Sequence, residues 1–511
     1  MKPFQTFLFL IFVAVGIVLL SVVFRGGGIC VFHGIKLRFL SLNELSVCNT
    51  GYFSSDKGDD QAMELQFSDS FKSGQDSAEM INMAAPAPLS EQNPFTIVPD
   101  TFTQNDASVS IQSSESVPGI IFPENNRECL DDFFDQLAQS GNSSECSRII
   151  FVGDSQIEGD HICGTFRENF QKMFSGEGIG LLPIKDLFNR KYGFVQKVSD
   201  NWKEYPVYSK NEDEDARYGV AGSYYKLMED EATRNEGWIE FRRFRIDSLT
   251  RNNYRILNLY YTNPGRDTST IEVRWNGRII KNKKLLPTDE LQTLKYAFNF
   301  SPREIELYFK AGSSLRVYGL SMEGVNGVMV DNLPHRGCAT PELRRTDLQF
   351  YKSMLNKMKI SMAIFQFGVN VVPYAGSNPV FYEERLCSDL MKFKKLVPEV
   401  PVLVVGVSDM SKKNGSQIIS WPNIQAVKIA QLRAAQRAGC AFWDLEAAMG
   451  GRNSMVAWVN STPQLGKKDY IHFTNAGAEK VGNMLSNAIL AEYKDYENRR
   501  LNLIKKQLAQ K

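Results

Sequence analysis

The sequence predicts an α/β protein whose sheet is parallel and whose first strand is followed by a β-rich insertion. Two observations carry this. After about residue 340, short apolar runs alternate with helical patterns, as at 362–367 and 400–407 before a 423–438 helix. Between 191 and 322 the pattern has period two instead, with aromatic and β-branched residues alternating with polar ones.

Taken in order, Phe4 to Phe24 is an almost unbroken apolar run. It matches the ~20 residues a helix needs to cross a bilayer. Arg25 and three glycines follow it, without the small-residue site of a cleaved signal peptide. Residues 1–28 thus read as an uncleaved membrane anchor. Residues 29–125 read as a flexible acidic linker, poor in periodicity and punctuated by Ala85-Pro86-Ala87-Pro88.

From 126 the globular body begins. Leu130, Phe133, Phe134 and Leu137 fall on one face of a helix. The run 148–152 is a buried strand ending in Gly153-Asp154-Ser155. The insertion, 191–324, contains the strand pattern of 238–246 and 254–261, and Asn276-Gly277 marks a hairpin. Many short strands with turns predict a β-sandwich. Trp238, Trp275 and Tyr318 read as its core rather than as sugar platforms. Strand and helix then alternate over 325–495, with a third strand at 441–445 and a closing helix at 474–494. The tail 496–511 is basic.

Composition narrows the partners. Lys+Arg is 59 against 58 Asp+Glu, a net charge of +1, which excludes a strongly basic nucleic-acid surface. The 8 cysteines lack paired CxxC spacing, so no zinc site is expected. Cys129 and Cys146 flank the first helix and are candidates to pair; Cys387 and Cys440 read equally as buried thiols.

In open parallel sheets, ligands bind beyond the carboxyl ends of the strands. The residues there are Gly153-Asp154-Ser155, Gly368-Val369-Asn370 and Ser408-Asp409, with Asp469-Tyr470-Ile471-His472 just before the closing helix. A serine nucleophile needs a base, and the chain has only 4 histidines: His33, His161, His335 and His472. His472 follows Asp469 by three residues, so one loop can present a base and the carboxylate that orients it. His335 and Arg336 read as solvated.

These motifs, in this order, resemble the SGNH/GDSL hydrolase family. Its G-D-S block is matched by Gly153-Asp154-Ser155, its G-x-N by Gly368-Val369-Asn370 and its D-x-x-H by Asp469 to His472. Its second-block glycine is placed at Gly337. The likeness covers roughly 145–190 and 325–495. With a carbohydrate-binding-module-like insertion, the arrangement resembles bacterial peptidoglycan O-acetylesterases. Gly178 to Pro183 resembles a glycine-rich segment of related Bacteroidetes-type sequences. Gln156 replaces the Leu of the name motif, a change expected to matter little, and Arg336 stands where the subgroup often has Asn.

The resemblance implies a flavodoxin-like sheet with a jelly-roll-like sandwich inserted. It makes Ser155 the nucleophile, His472 the base and Asp469 its orienting carboxylate. The oxyanion hole would be the Ser155 and Gly337 N–H groups and the Asn370 amide, without metal or cofactor. The reaction implied is removal of O-acetyl groups from a cell-wall polysaccharide, foremost peptidoglycan. An O-acetyltransferase with the same triad and a non-catalytic glycan-binding protein are the alternatives. Such a substrate puts the body in the periplasm on an inner-membrane tether at 4–24, with no nucleic-acid partner. Arg25, Lys36 and Arg38 after the span, read by the positive-inside rule alone, would instead put it in the cytoplasm.

Overall fold

The computed structural model describes residues 118–509, apart from 186–189, 192–193, 210–216, 229–234, 244–252, 312–313 and 377, together with short strands at 29–32, 35–37 and 79–81. The predicted anchor at 4–24 and most of the linker lie outside the described residues. Among the described residues, no helix is long and apolar enough to cross a membrane.

The body is mixed α/β with a parallel core. Its parallel strands are β1 (Cys146–Gly153), β2 (Arg316–Pro334), β3 (Ile360–Gln366), β4 (Val402–Val405) and β5 (Ala441–Trp443). In the sheet they lie in the order 2-1-3-4-5. That is the flavodoxin-like order, which places a crevice between β1 and β3. Alternate residues of β1 explain why it is buried on both faces. Ile150 and Val152 pack toward helices α3 (Leu348–Met358), α4 (Val380–Leu396) and α5 (Ile424–Arg437). Ile149 and Phe151 pack the other way, with α1 (Asp131–Gln139), α2 (His161–Phe174), α6 (Leu445–Met449), α7 (Ser454–Asn460) and α8 (Asn475–Ala509).

Residues 118–125, read from sequence as the end of the linker, belong to this body. Ile120 and Phe122 are buried, Ile121 bridges Phe442 on the β5 edge, and the Trp443 indole donates to Pro118 O at 3.0 Å. Their apolar side chains cover the sheet edge, so the body includes residues before 126.

The β-rich segment forms two facing layers around a core that includes Trp202, Ile239, Phe241, Leu257, Ile271 and Phe309. One layer is a six-stranded sheet from Arg190–Lys191 to Arg278–Leu285. The other is continuous with the parallel sheet, because β2 serves both. Its first half pairs antiparallel with Ile256–Asn263, and its second half pairs parallel with β1. The sequence boundary at 324/325 therefore falls inside one strand.

A buried ion network pins this shared strand. The Arg148 guanidinium meets Asp331 at 2.7 and 2.9 Å and Glu323 at 2.8 Å. Asp331 also accepts the Leu181 N–H at 2.7 Å. Leu181 lies in the glycine-rich strand Gly176–Leu182, which crosses β2. A side chain on Gly176, Gly178 or Gly180 would collide with Val328, Met322 or Asp331, and all three have positive φ. The glycines there serve close backbone crossing. Tyr318 is buried as expected, while Trp238 and Trp275 are half-buried, Trp275 packing against Phe300 at 5.4 Å. Cys129, Cys146, Cys387 and Cys440 all carry free thiols.

Candidate active site

The register of the sheet sets up the site. Gly153 of β1 lies level with Pro334 of β2 on one side and Gln366 of β3 on the other. The three loops that leave these strands carry Ser155, Gly337 and Asn370, so they emerge side by side at the carboxyl edge. The closing loop before α8 brings His472 from across the site.

The Ser155 Oγ lies 2.9 Å from His472 Nε2, and His472 Nδ1 lies 2.8 Å from Asp469 Oδ2. With Nδ1 protonated and donating to Asp469, Nε2 is free to accept the serine proton. Asp469 Oδ1 also accepts the backbone N–H groups of Ile471 and His472, at 2.9 and 3.0 Å. Partial burial would raise its pKa, but those donors and the imidazole outweigh it and hold the carboxyl below its ordinary value. Asp469 therefore stays ionised as the partner of His472.

Gly337 has φ +74°, and nothing lies within 4 Å of where a side chain would stand. Its loop thus keeps an open face. The Asn370 amide donates to Cys338 O at 3.1 Å, which ties the third block to the Gly337 loop. The structure thus joins Ser155, His472 and Asp469 by hydrogen bonds, and sets the Asn370 and Gly337 loops on opposite flanks of the Ser155 strand.

Asp154 is almost wholly buried. Desolvation pushes its carboxyl up to about 7, against the opposing N–H groups of Gln156, Val369 and Gly368. Beyond the serine, the turn is clamped to the sheet. Asp160 takes both guanidinium nitrogens of Arg167 at 2.9 Å, Arg167 donates to Val330 O at 2.8 Å, and Asn332 donates to Ile157 O at 3.0 Å.

Other expectations are corrected. His335 is not solvated: its ring is buried against Gly222 of the insertion, where a Cβ would come within 2.8 Å of Nε2. Burial lowers its pKa to about 4. Arg336 is exposed but ion-paired, at 2.8 Å from Glu158. Gln156 is also more than a neutral replacement. Its amide donates to Ser408 Oγ and to Ile471 O, both at 2.8 Å, and accepts from Gln366 at 3.3 Å. It links the Ser155 turn to the residue before His472. No local signal gives this away, since its partners lie hundreds of residues on. Ser408 and Asp409 are fully buried, and Asp409 accepts the Met455 N–H at 2.8 Å. Both hold loops together rather than facing the cleft.

No family model and no curated protein matches the chain. Among solved structures it is similar to a peptidoglycan O-acetylesterase, at 18% identity over 74% of this chain and 99% of that one, with a TM-score of 0.58. An acetyl xylan esterase matches at 15% identity over 32% of this chain and 80% of that one, TM-score 0.25. A GDSL-like lipase candidate from Parabacteroides merdae matches at 16% identity over 32% and 72%, TM-score 0.24. The comparison of folds rests on the first of these. With its 2-1-3-4-5 parallel sheet and the three blocks at its carboxyl edge, the chain has the SGNH/GDSL hydrolase fold.

Proposed function

We propose that this chain is a serine esterase that removes O-acetyl groups from a cell-wall glycan, peptidoglycan foremost. The observation that carries the reading is the Asp469–His472–Ser155 chain of hydrogen bonds at the carboxyl edge of the sheet. The fold likeness to a peptidoglycan O-acetylesterase supports the substrate class.

The chemistry follows from the geometry. His472 Nε2 takes the Ser155 proton as Oγ attacks the acetyl carbonyl carbon. The negative charge that develops on the carbonyl oxygen is met by the Ser155 and Gly337 N–H groups and the Asn370 amide. Each such donor typically contributes about 10²–10³ in turnover. The intermediate collapses, the C–O bond to the sugar breaks, and the imidazolium returns its proton to the departing sugar oxygen. A water deprotonated by His472 then attacks the acetyl-serine, releasing acetate and restoring Ser155. The residues 4–24 would anchor this body at the inner membrane, with the catalytic face in the periplasm beside its substrate.

The test is acetate release from O-acetylated peptidoglycan by the full chain beside its Ser155→Ala variant. Release lost in the variant supports nucleophile, reaction and substrate together. No release by the wild type, with p-nitrophenyl acetate still cleaved, rejects the substrate and keeps the triad. For topology, a reporter at the carboxyl terminus that reads cytoplasmic removes the cell-wall assignment.

A further inference from the structure

A groove is built from segments that continue or touch the loops of the site. The loop that follows Asn370 and the hairpin of Ser411–Asn414 and Gln417–Ser420 enclose, with the start of α5, a groove of about 660 Å³. That is within the ~300–1,000 Å³ of small-molecule pockets. Two of its walls connect to loops of the site. One wall, through Pro373 and Ala375, continues the segment that carries Asn370. The other is tied to the base: the Ser411 N–H donates to Tyr470 O at 3.0 Å, two residues before His472. Asn423, on the floor, donates its amide to the carbonyls of Val372 and Ala375 and holds the first wall in place.

The lining has a definite chemistry. Trp421 is half-buried and lines the groove, and the Lys412 ammonium lies over its ring, 4.3 Å from the centroid. Among the described residues, the ion pairs around the groove belong to Lys428, Arg433 and Arg437 rather than to Lys412. Glu383, the acidic lining residue, is already taken by Arg437 at 3.0 Å, with Arg433 at 3.9 Å. The groove therefore offers an aromatic face, hydrogen-bonding side chains and, in Lys412, a cation outside those pairs.

We propose that this groove is a subsite for a carboxylate-bearing part of the substrate glycan beyond the unit that is deacetylated. A sugar ring takes the Trp421 face and a carboxylate of the glycan's peptide substituent takes Lys412, which leaves its resting place over the indole. The subsite deepens the esterase reading and rests on it for its link to turnover, but binding can be measured without turnover.

Two measurements test it. In the first, the full chain carrying Ser155→Ala is titrated calorimetrically with de-O-acetylated peptidoglycan fragments. Adding Lys412→Ala or Trp421→Phe is expected to weaken binding about tenfold, and the Lys412 effect to vanish at high salt. Neutral chitin oligosaccharides should be insensitive to Lys412→Ala. Equal affinity in all variants, or equal loss for neutral and anionic fragments, overturns the proposal. In the second, kcat/KM on O-acetylated peptidoglycan is divided by kcat/KM on p-nitrophenyl acetate. The ratio is expected to fall about tenfold in Lys412→Ala, through KM, and to recover in Lys412→Arg. An unchanged ratio overturns the subsite. Loss of esterase activity in the wild type on both substrates instead defeats the esterase reading, and the titration still decides the subsite.

Discussion

Ser155 stands on a turn that the rest of the protein clamps, whereas His472 stands on a loop that largely holds itself. The serine turn is fixed by Asp160–Arg167, by Arg167 to Val330 O and by Asn332 to Ile157 O, all buried. The histidine loop closes on its own backbone. Lys467 N–H donates to His472 O at 2.7 Å, Tyr470 N–H to Lys467 O at 2.9 Å, and Asp469 accepts the N–H groups of Ile471 and His472. Tyr470 adopts φ +60° to make the turn. The side chains of His472 and Asp469 are 33% and 44% exposed, against 1% for Asp160. The difference separates two kinds of cost. A change in the clamp should be felt by the fold, and a change in the loop by the chemistry.

One substitution type made in both regions puts this to the test. Asp469→Asn keeps the Oδ1 acceptor for the loop N–H groups but removes the charge that orients His472. On p-nitrophenyl acetate its kcat is expected to fall roughly 10⁴-fold. Its stability in urea should stay within about 0.5 kcal/mol of wild type, the usual range for an exposed side chain. Asp160→Asn leaves the Arg167 guanidinium buried beside a neutral amide. A loss of about 3–5 kcal/mol is expected for breaking such a buried pair. If Asp160→Asn unfolds no more readily than Asp469→Asn, the clamp is not what fixes the serine.

The clamp also contains two buried groups whose protons oppose each other. Asp154 has a folded pKa of about 7 against an ordinary 3.8, so between those values the folded state holds the extra proton. Its contribution to stability then falls as pH rises through that window. His335 is the reverse: at about 4 against 6.5, it is neutral when folded while the unfolded chain is protonated. Its contribution rises with pH from about 4 to 6.5 and is lost as pH falls. Measured against wild type, Asp154→Asn should gain on the order of 3 kcal/mol as pH rises from 4 to 7. His335→Gln should lose a similar amount across 4 to 6.5. Denaturation midpoints at a series of pH values decide it; parallel curves for the three proteins would mean that neither group titrates in the fold.

The same contrast explains what could be read in the sequence. Asp469 and His472 are legible because their hydrogen bond spans three residues, and Gly153-Asp154-Ser155 because a strand, a turn and a serine follow one another directly. The strand at 148–152 and the helix through Leu130 and Leu137 carry their own apolar pattern. The clamp is different. What Gly176, Gly178 and Gly180 are for shows only when β2, some 150 residues later, is laid across them. His335 looks exposed because the glycine that receives its ring belongs to the insertion. The joint between the two halves is hidden because β2 stays extended through Glu323-Gly324-Val325-Asn326-Gly327, where it changes partners.

Gln156 is where the two regions meet, and it yields the smallest and sharpest test. Its backbone N–H donates to Asp154 in the clamp, and its side chain reaches Ile471 O in the histidine loop. Leu, the residue of the family's name motif at this position, fills similar volume but leaves Ser408 Oγ and Ile471 O without this donor. The ties that remain to the loop include Ser411 N–H to Tyr470 O. The Gln156→Leu variant is expected to lose about 1–3 kcal/mol of stability from unpaired buried groups. Its kcat on p-nitrophenyl acetate should drop roughly tenfold with KM unchanged, as befits a base held less well against the serine. Gln156→Glu retains an acceptor but not the amide donor, so it should not restore kcat. If both variants turn over like wild type, the Asp469–His472 loop is self-sufficient. Gln156 would then be a packing residue of the clamp alone.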